Sequence, residues 1–151
     1  MSATLFPLLA FFAGVAIAVQ ASLSAQLGVL LRNPLFAAAS VFLFSFIFTL
    51  VLFFFSVKEA PEISNIKSVP KYLWFSGGLL SALSQGTVYW LIPKVGASPI
   101  ISSVLSGQLA LALIAGHFGW FQLPETPITH TKVIGALMLI LGVVFINKDQ
   151  L

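Results

Sequence analysis

Three glutamines stand inside long apolar stretches of this 151-residue chain: Gln20, Gln85 and Gln108. A carboxamide offers an acceptor and two donors without charge, so each can hold a neutral polar group by hydrogen bonds alone. Each has hydroxyl neighbours. Gln20 and Ser24 are four residues apart, as are Ser22 and Gln26. Residues so spaced meet on one side of a helix, and here they form a polar band. Ser81, Ser84 and Gln85 share a face in the same way, followed by Thr87 and Tyr89, and a third group comprises Ser102, Ser103, Ser106 and Gln108. A buried polar side chain is costly unless it finds a partner. Two roles fit. The hydroxyls and amides bond neighbouring helices together, at about 0.6 kcal/mol per contact in a membrane bundle, or they line a cavity for a solute. Bonding between helices suffices for the serines; for three long amides on three segments both roles stay open.

The residues that are missing narrow the chemistry further. No Asp, Glu, Lys or Arg falls in the central part of any apolar stretch. Ionisable groups at such positions mark proton relays and sites for charged substrates. There is no acid pair, no cluster spaced to bind metal and no nucleophile beside a base, so an enzyme is the least supported class and no cofactor is expected. With no cysteine, disulfide and thiol chemistry are excluded. His117 and His130 lie near the ends of apolar stretches. His117, between Gly116 and Phe118-Gly119, is the better functional candidate, although a helix-end histidine bonded to a terminal carbonyl is the simpler reading. The expected solute pathway therefore comprises Gln20, Ser24, Gln26, Ser81, Gln85, Tyr89, Ser106, Gln108 and His117.

The elements that position these residues follow from composition. Hydrophobic residues make up 59% of the chain and charged ones 7%, against about 25% charged in soluble domains. The net charge of +3 rests on seven cations and four acids. That is too sparse for a nucleic-acid surface and fits loop lysines facing anionic lipid headgroups. A hydrocarbon core of about 30 Å takes about 20 apolar residues of helix. Prolines and charges divide the chain into five such blocks, which predict spans at about 5–31, 35–57, 72–92, 97–120 and 132–147 in a single membrane domain over 1–151. The eight prolines fall at block edges or in the loops between, where a missing N–H costs least. Backbone groups in lipid must be satisfied internally, and strand-like alternation is absent, so the fold class is an all-α integral membrane protein. Tyr72 and Trp74 open the third block, Tyr89 and Trp90 close it and Trp120 closes the fourth, matching the preference of these rings for the interfaces. The first block lacks a basic leader and is too long for a signal peptide, so it reads as a retained helix.

Five spans put the two ends of the chain on opposite sides. One side then carries Lys58, Lys67, Lys71 and Lys132, and the other Arg32, Lys94 and Lys148. Orientation follows the difference in loop cations, and here it is one. Either this small bias fixes the N-terminus inside, or copies insert both ways and pair as an antiparallel homodimer. Close helix packing is expected at small residues, with Ala10, Gly14 and Ala18 spaced by four and Gly78, Gly86 and Gly107 on later spans. The polar groups place spans 1, 3 and 4 toward protein or water and leave spans 2 and 5, with the phenylalanine-dense 42–55, toward lipid.

The segment Gln20-Ala21-Ser22-Leu23-Ser24-Ala25-Gln26-Leu27-Gly28 resembles the first-helix signature of the YdcZ-type five-span family in the drug/metabolite transporter (DMT) superfamily. Pro93-Lys94-Val95-Gly96-Ala97 resembles its turn before helix four, and Ser106-Gly107-Gln108-Leu109 and His117-Phe118-Gly119 its two fourth-helix motifs. The stretch from Gly135 to Val144 is similar to its glycine-rich last helix. Two positions depart: the family usually has Asn where Ser24 stands and Asp where Gly116 stands, which removes a carboxylate beside His117. The resemblance implies a DMT-like half-transporter bundle in the bacterial inner membrane. Helices 1, 3 and 4 of two inverted copies would line a central cavity, an arrangement found in many transporters. It names no substrate. The absence of buried charge favours a small neutral or zwitterionic solute. A lipid-handling protein and a non-transporting accessory subunit are the alternatives.

Overall fold

In the computed structural model, residues 5–57, 61–122 and 124–148 are described. They contain α1 (Leu5–Leu30), α2 (Pro34–Ser56), α3 (Ile63–Ser68), α4 (Lys71–Val95), α5 (Ala97–His117), a single 3-10 turn (Trp120–Gln122) and α6 (His130–Asn147). There is no strand among the described residues. Four of these helices, α1, α2, α5 and α6, are long and apolar enough to cross a membrane. At 25 residues α4 is about as long as the others, some 37 Å at 1.5 Å per residue. Ser76-Gly77-Gly78 and Ser84-Gln85-Gly86-Thr87 dilute its apolar character, and it falls outside that set.

The boundaries differ from the sequence expectation where local chemistry overrides composition. The third block continues through Pro93 to Val95 instead of ending at Ile92. Proline removes only its own N–H and crowds the carbonyl four residues back, and so near the end of a helix that is a small loss. The fourth block ends at His117 and not at residue 120, because Gly119 and then Phe121 and Gln122 take positive φ. The fifth block begins at His130, two residues early, where Thr129 caps it by accepting from the Lys132 N–H at 3.3 Å. The short α3 lies in what composition alone reads as loop. Lys58, counted above in the charge balance, lies outside the described residues.

The chain divides into two compact units, residues 1–93 and 94–151. In the first, α1 and α2 form a hairpin packed through small residues. Ala21, Ser24, Ala25 and Gly28 of α1 and Ala37 and Ala38 of α2 are buried, all near the connecting turn. A Cβ added at Gly28 would meet the Pro34 Cα at 3.3 Å and the Ala37 Cβ at 3.6 Å, so this crossing has no room for a large side chain. The turn is tight. The Asn33 N–H donates to the Gly28 carbonyl at 3.0 Å, and Arg32 takes φ 52°. Asn33 then caps α2, its Oδ1 accepting from the N–H groups of Leu35 and Phe36 at 3.1 and 3.0 Å, with Pro34 in the first turn. Replacing a capping Asn by Ala typically costs about 1 kcal/mol. Asn33→Ala is expected to lower stability by that amount in a detergent unfolding titration, with helix content unchanged before the transition.

The fourth helix joins this hairpin through Gly86, whose absent Cβ would lie 2.9 Å from the Leu35 Cδ2, and through Tyr89. In the second unit α5 follows Gly96, whose φ of 101° suits glycine alone. It packs against α6, and its Pro99 and Ala115 are buried. Large apolar side chains elsewhere point outward, Phe55 at 87% exposure and Phe54 at 73% among them, as expected of helices solvated by lipid.

Candidate functional site

Gln20, Ser24 and Tyr89 are brought together in the first unit. The Gln20 Nε2 donates to the Ser24 Oγ at 3.0 Å and to the Tyr89 Oη at 2.5 Å. The Ser24 hydroxyl donates to the Gln20 backbone carbonyl at 2.7 Å. Each partner has a local reason to be there. One turn of α1 sets Gln20 above Ser24, and α4 brings Tyr89 in from 69 residues away. Tyr89 is 1% exposed and Ser24 5%, so the amide of Gln20 is anchored against a buried floor. Tyr89 does not sit in an aromatic belt at the end of its helix. It turns inward because an amide at this depth requires a partner and the phenol supplies one at the cost of little polar surface. Its neighbour Trp90 remains half exposed.

The serines behave differently from the expected bonding between helices. Ser22, Ser24, Ser40, Ser84, Ser102, Ser103 and Ser106 all donate to carbonyls three or four residues back in their own helices. A hydroxyl bonded in this way is satisfied locally and needs no neighbouring helix. Gln85 and Ser81 are half-buried on α4, whereas Gln26 on α1 is exposed. In the second unit, Ser106 is half-buried and Gln108 exposed on α5.

Between α1 and α2 lies a cleft of about 560 Å³. Gln20, Leu23 and Ser24 line it from α1, and Ser40, Phe44, Ser45 and Phe48 from α2. None of its lining residues is ionisable. The second helix, whose composition points to lipid, thus supplies one wall. Ser40 and Ser45 were the available signal, as hydroxyls in a phenylalanine-rich run.

His117 ends α5, as expected, and its partner there is a loop. Its Nδ1 accepts from the Ile128 N–H at 3.3 Å. The Thr126 N–H donates to the Gly116 carbonyl at 2.8 Å, and the Lys132 Nζ donates to the carbonyls of Pro127 and Thr126 at 2.9 and 3.3 Å. These bonds fold residues 124–129 over the end of α5. Gly116 makes room for this: a Cβ there would lie 2.6 Å from the Thr126 Oγ1. The glycine in place of a carboxylate therefore serves loop closure. Phe118 stacks on Trp120 with centroids 5.9 Å apart, and both rings are exposed. Among the described residues no group of acids and histidines could hold a metal ion.

What this arrangement can do chemically is hold a neutral group by hydrogen bonds at membrane depth. Comparison with known proteins supports a membrane transporter role and names no substrate. The chain matches no curated protein and no solved structure. It does match, over residues 5–145, the model of the family described as "Putative inner membrane exporter, YdcZ". That match runs from the first described residue of α1 almost to the end of α6, and the chain belongs to the YdcZ family of the drug/metabolite transporter superfamily, as a multi-pass, all-α protein of the inner membrane.

Proposed function

We propose that the chain is one half of a secondary transporter, two copies pairing antiparallel to carry a small neutral or zwitterionic solute by alternating access. Its membership of an exporter family supports membrane transport as its role. The observation that carries the finer reading is the Gln20–Ser24–Tyr89 network: partly buried, uncharged, and joining the C-terminal half of α1 to α4. An intramembrane site of this kind has no carboxylate to exchange protons with a cationic substrate. In this reading α4 also crosses the membrane, which makes five spans, and the two ends of the chain face opposite sides. The near balance of four cations against three then allows both orientations. An inverted pair recreates the two-fold plan of transporters with a midplane site.

The test is flux into proteoliposomes from a panel of neutral and zwitterionic metabolites, with reporters fused to the C-terminus to fix topology. Uptake of at least one class is expected, with reporter signal on both sides. Gln85→Leu and Gln108→Leu are each expected to slow uptake about fivefold, the worth of one neutral hydrogen bond of roughly 1 kcal/mol. Folded protein with no flux for any class would overturn the transport reading. Reporters found on a single side would overturn the antiparallel pair.

A further inference from the structure

The cleft between α1 and α2 has a chemistry more specific than its place in a transporter requires. Both walls belong to membrane-spanning helices. The lining residues run from Ala16 to Leu27 in α1 and from Ser40 to Phe48 in α2, within the two spanning helices, so most of the cleft opens at the depth of the hydrocarbon. Its volume of about 560 Å³ falls within the range of small-molecule pockets, which are mostly apolar with a few placed polar groups. Leu23, Phe44 and Phe48 supply the apolar walls. The cleft opens toward the hydrocarbon, where there is no bulk water to fill it, so the occupant is itself lipophilic.

The polar groups define the rest. Both amide hydrogens of Gln20 are spent on Ser24 and Tyr89. The Ser24 hydrogen goes to the Gln20 carbonyl and the Ser40 hydrogen to the Phe36 carbonyl. What these three residues still offer are acceptors, chiefly the Gln20 Oε1, while the exposed Ser45 hydroxyl on the α2 wall can either donate or accept. A ligand that satisfies them must bring a donor. It must also be neutral, because no lining residue is ionisable and an uncompensated charge in apolar surroundings is strongly disfavoured.

We propose that this cleft binds a lipophilic, uncharged molecule bearing one hydrogen-bond donor, such as an alcohol, phenol or amide, taken up sideways from the bilayer. The binding stands on the cleft alone; its role in export rests on the transport reading above.

The experiment uses the full-length protein in nanodiscs, dialysed to equilibrium against three fluorescent probes, with empty nanodiscs subtracted. The probes are 9-anthracenemethanol, 9-methylanthracene and 9-(aminomethyl)anthracene, which differ in donor and charge on one frame. The alcohol is expected to bind saturably and about three- to tenfold more tightly than the hydrocarbon, the range of one neutral hydrogen bond, and more tightly than the ammonium. Ser45→Phe is expected to fill the cleft and abolish saturable binding, while Ser45→Ala retains it. Equal binding of alcohol and hydrocarbon would overturn the proposal, as would tightest binding of the ammonium or an unaffected Ser45→Phe protein. Since the chain has no cysteine, Ser45→Cys reports a rival occupant. Cross-linking between two copies that the alcohol does not reduce would assign the cleft to a second protomer. Selective binding without flux would leave the site standing and remove the transport reading; flux of polar solutes without binding would do the reverse.

Discussion

Tyr89→Ala is expected to cost the unit built by α1, α2 and α4 about 3–5 kcal/mol, the loss typical of a large buried aromatic cut back to Cβ. At 1% exposure Tyr89 is the largest fully buried side chain among the described residues. It also anchors the amide of Gln20. Tyr89→Phe separates the two contributions, since it keeps the ring and removes the hydroxyl. The expected loss is about 1 kcal/mol, because hydrogen bonds between membrane helices average well below their worth in vacuum. Unfolding titrations with sodium dodecyl sulfate, followed by circular dichroism, read both values. Equal losses for Ala and Phe would mean that the hydrogen bond holds α4 in place and the packing of the ring does not. If Tyr89→Ala proved neutral, the placement of α4 against the hairpin would be wrong.

The second large effect is expected at Gly28. Its missing Cβ leaves just enough room for the Pro34 backbone at 3.3 Å and the Ala37 Cβ at 3.6 Å. A leucine there must push α1 and α2 apart at the only end where they bury small residues against each other. Overpacking of this kind costs about 1–3 kcal/mol where neighbours can shift and more where they are backbone. Gly28→Leu is therefore expected at or above the top of that range and to abolish alcohol binding in the adjoining cleft. Gly28→Ala should come out close to neutral, since about 1 kcal/mol of helix propensity offsets a contact only a few tenths of an ångström too tight. The same titration, run on glycine, alanine and leucine at this position, checks the series. A smooth, small decline through leucine would show that the hairpin crossing is loose.

Much of this is legible in the sequence. Arg32-Asn33-Pro34 marks the turn between the first two helices, because a capping side chain followed by proline favours a helix start. The pairing of Gln20 with Ser24 follows from helical spacing alone. Other features were not legible, each for a stated reason. Tyr89 reads as a belt residue because its position in the chain is near the end of an apolar block. Its true partner is 69 residues away, and no local pattern encodes that distance. Pro93 reads as a terminator because composition does not reveal how late in a helix a proline is still tolerated. The serines read as contacts between helices, yet their hydroxyls return to their own backbone, a choice that depends on rotamer and not on spacing. His117 reads as a helix-end residue and ends α5; that its ring receives the Ile128 N–H depends on how residues 124–129 fold back.

Composition and the periodic placement of prolines and charges by themselves determined that this is a bundle of apolar helices, where those helices break, and that its interior chemistry is neutral. These properties depend on transfer free energy and on backbone hydrogen bonding, both of which are set residue by residue. Tertiary structure alone decided that the amide of Gln20 meets the phenol of Tyr89, that Gly28 lets two helices touch, and that α2 supplies a wall of the cleft. Those outcomes depend on distances between segments remote in the chain, where packing at the scale of a single methyl group selects which polar groups face one another and which are left to face a ligand.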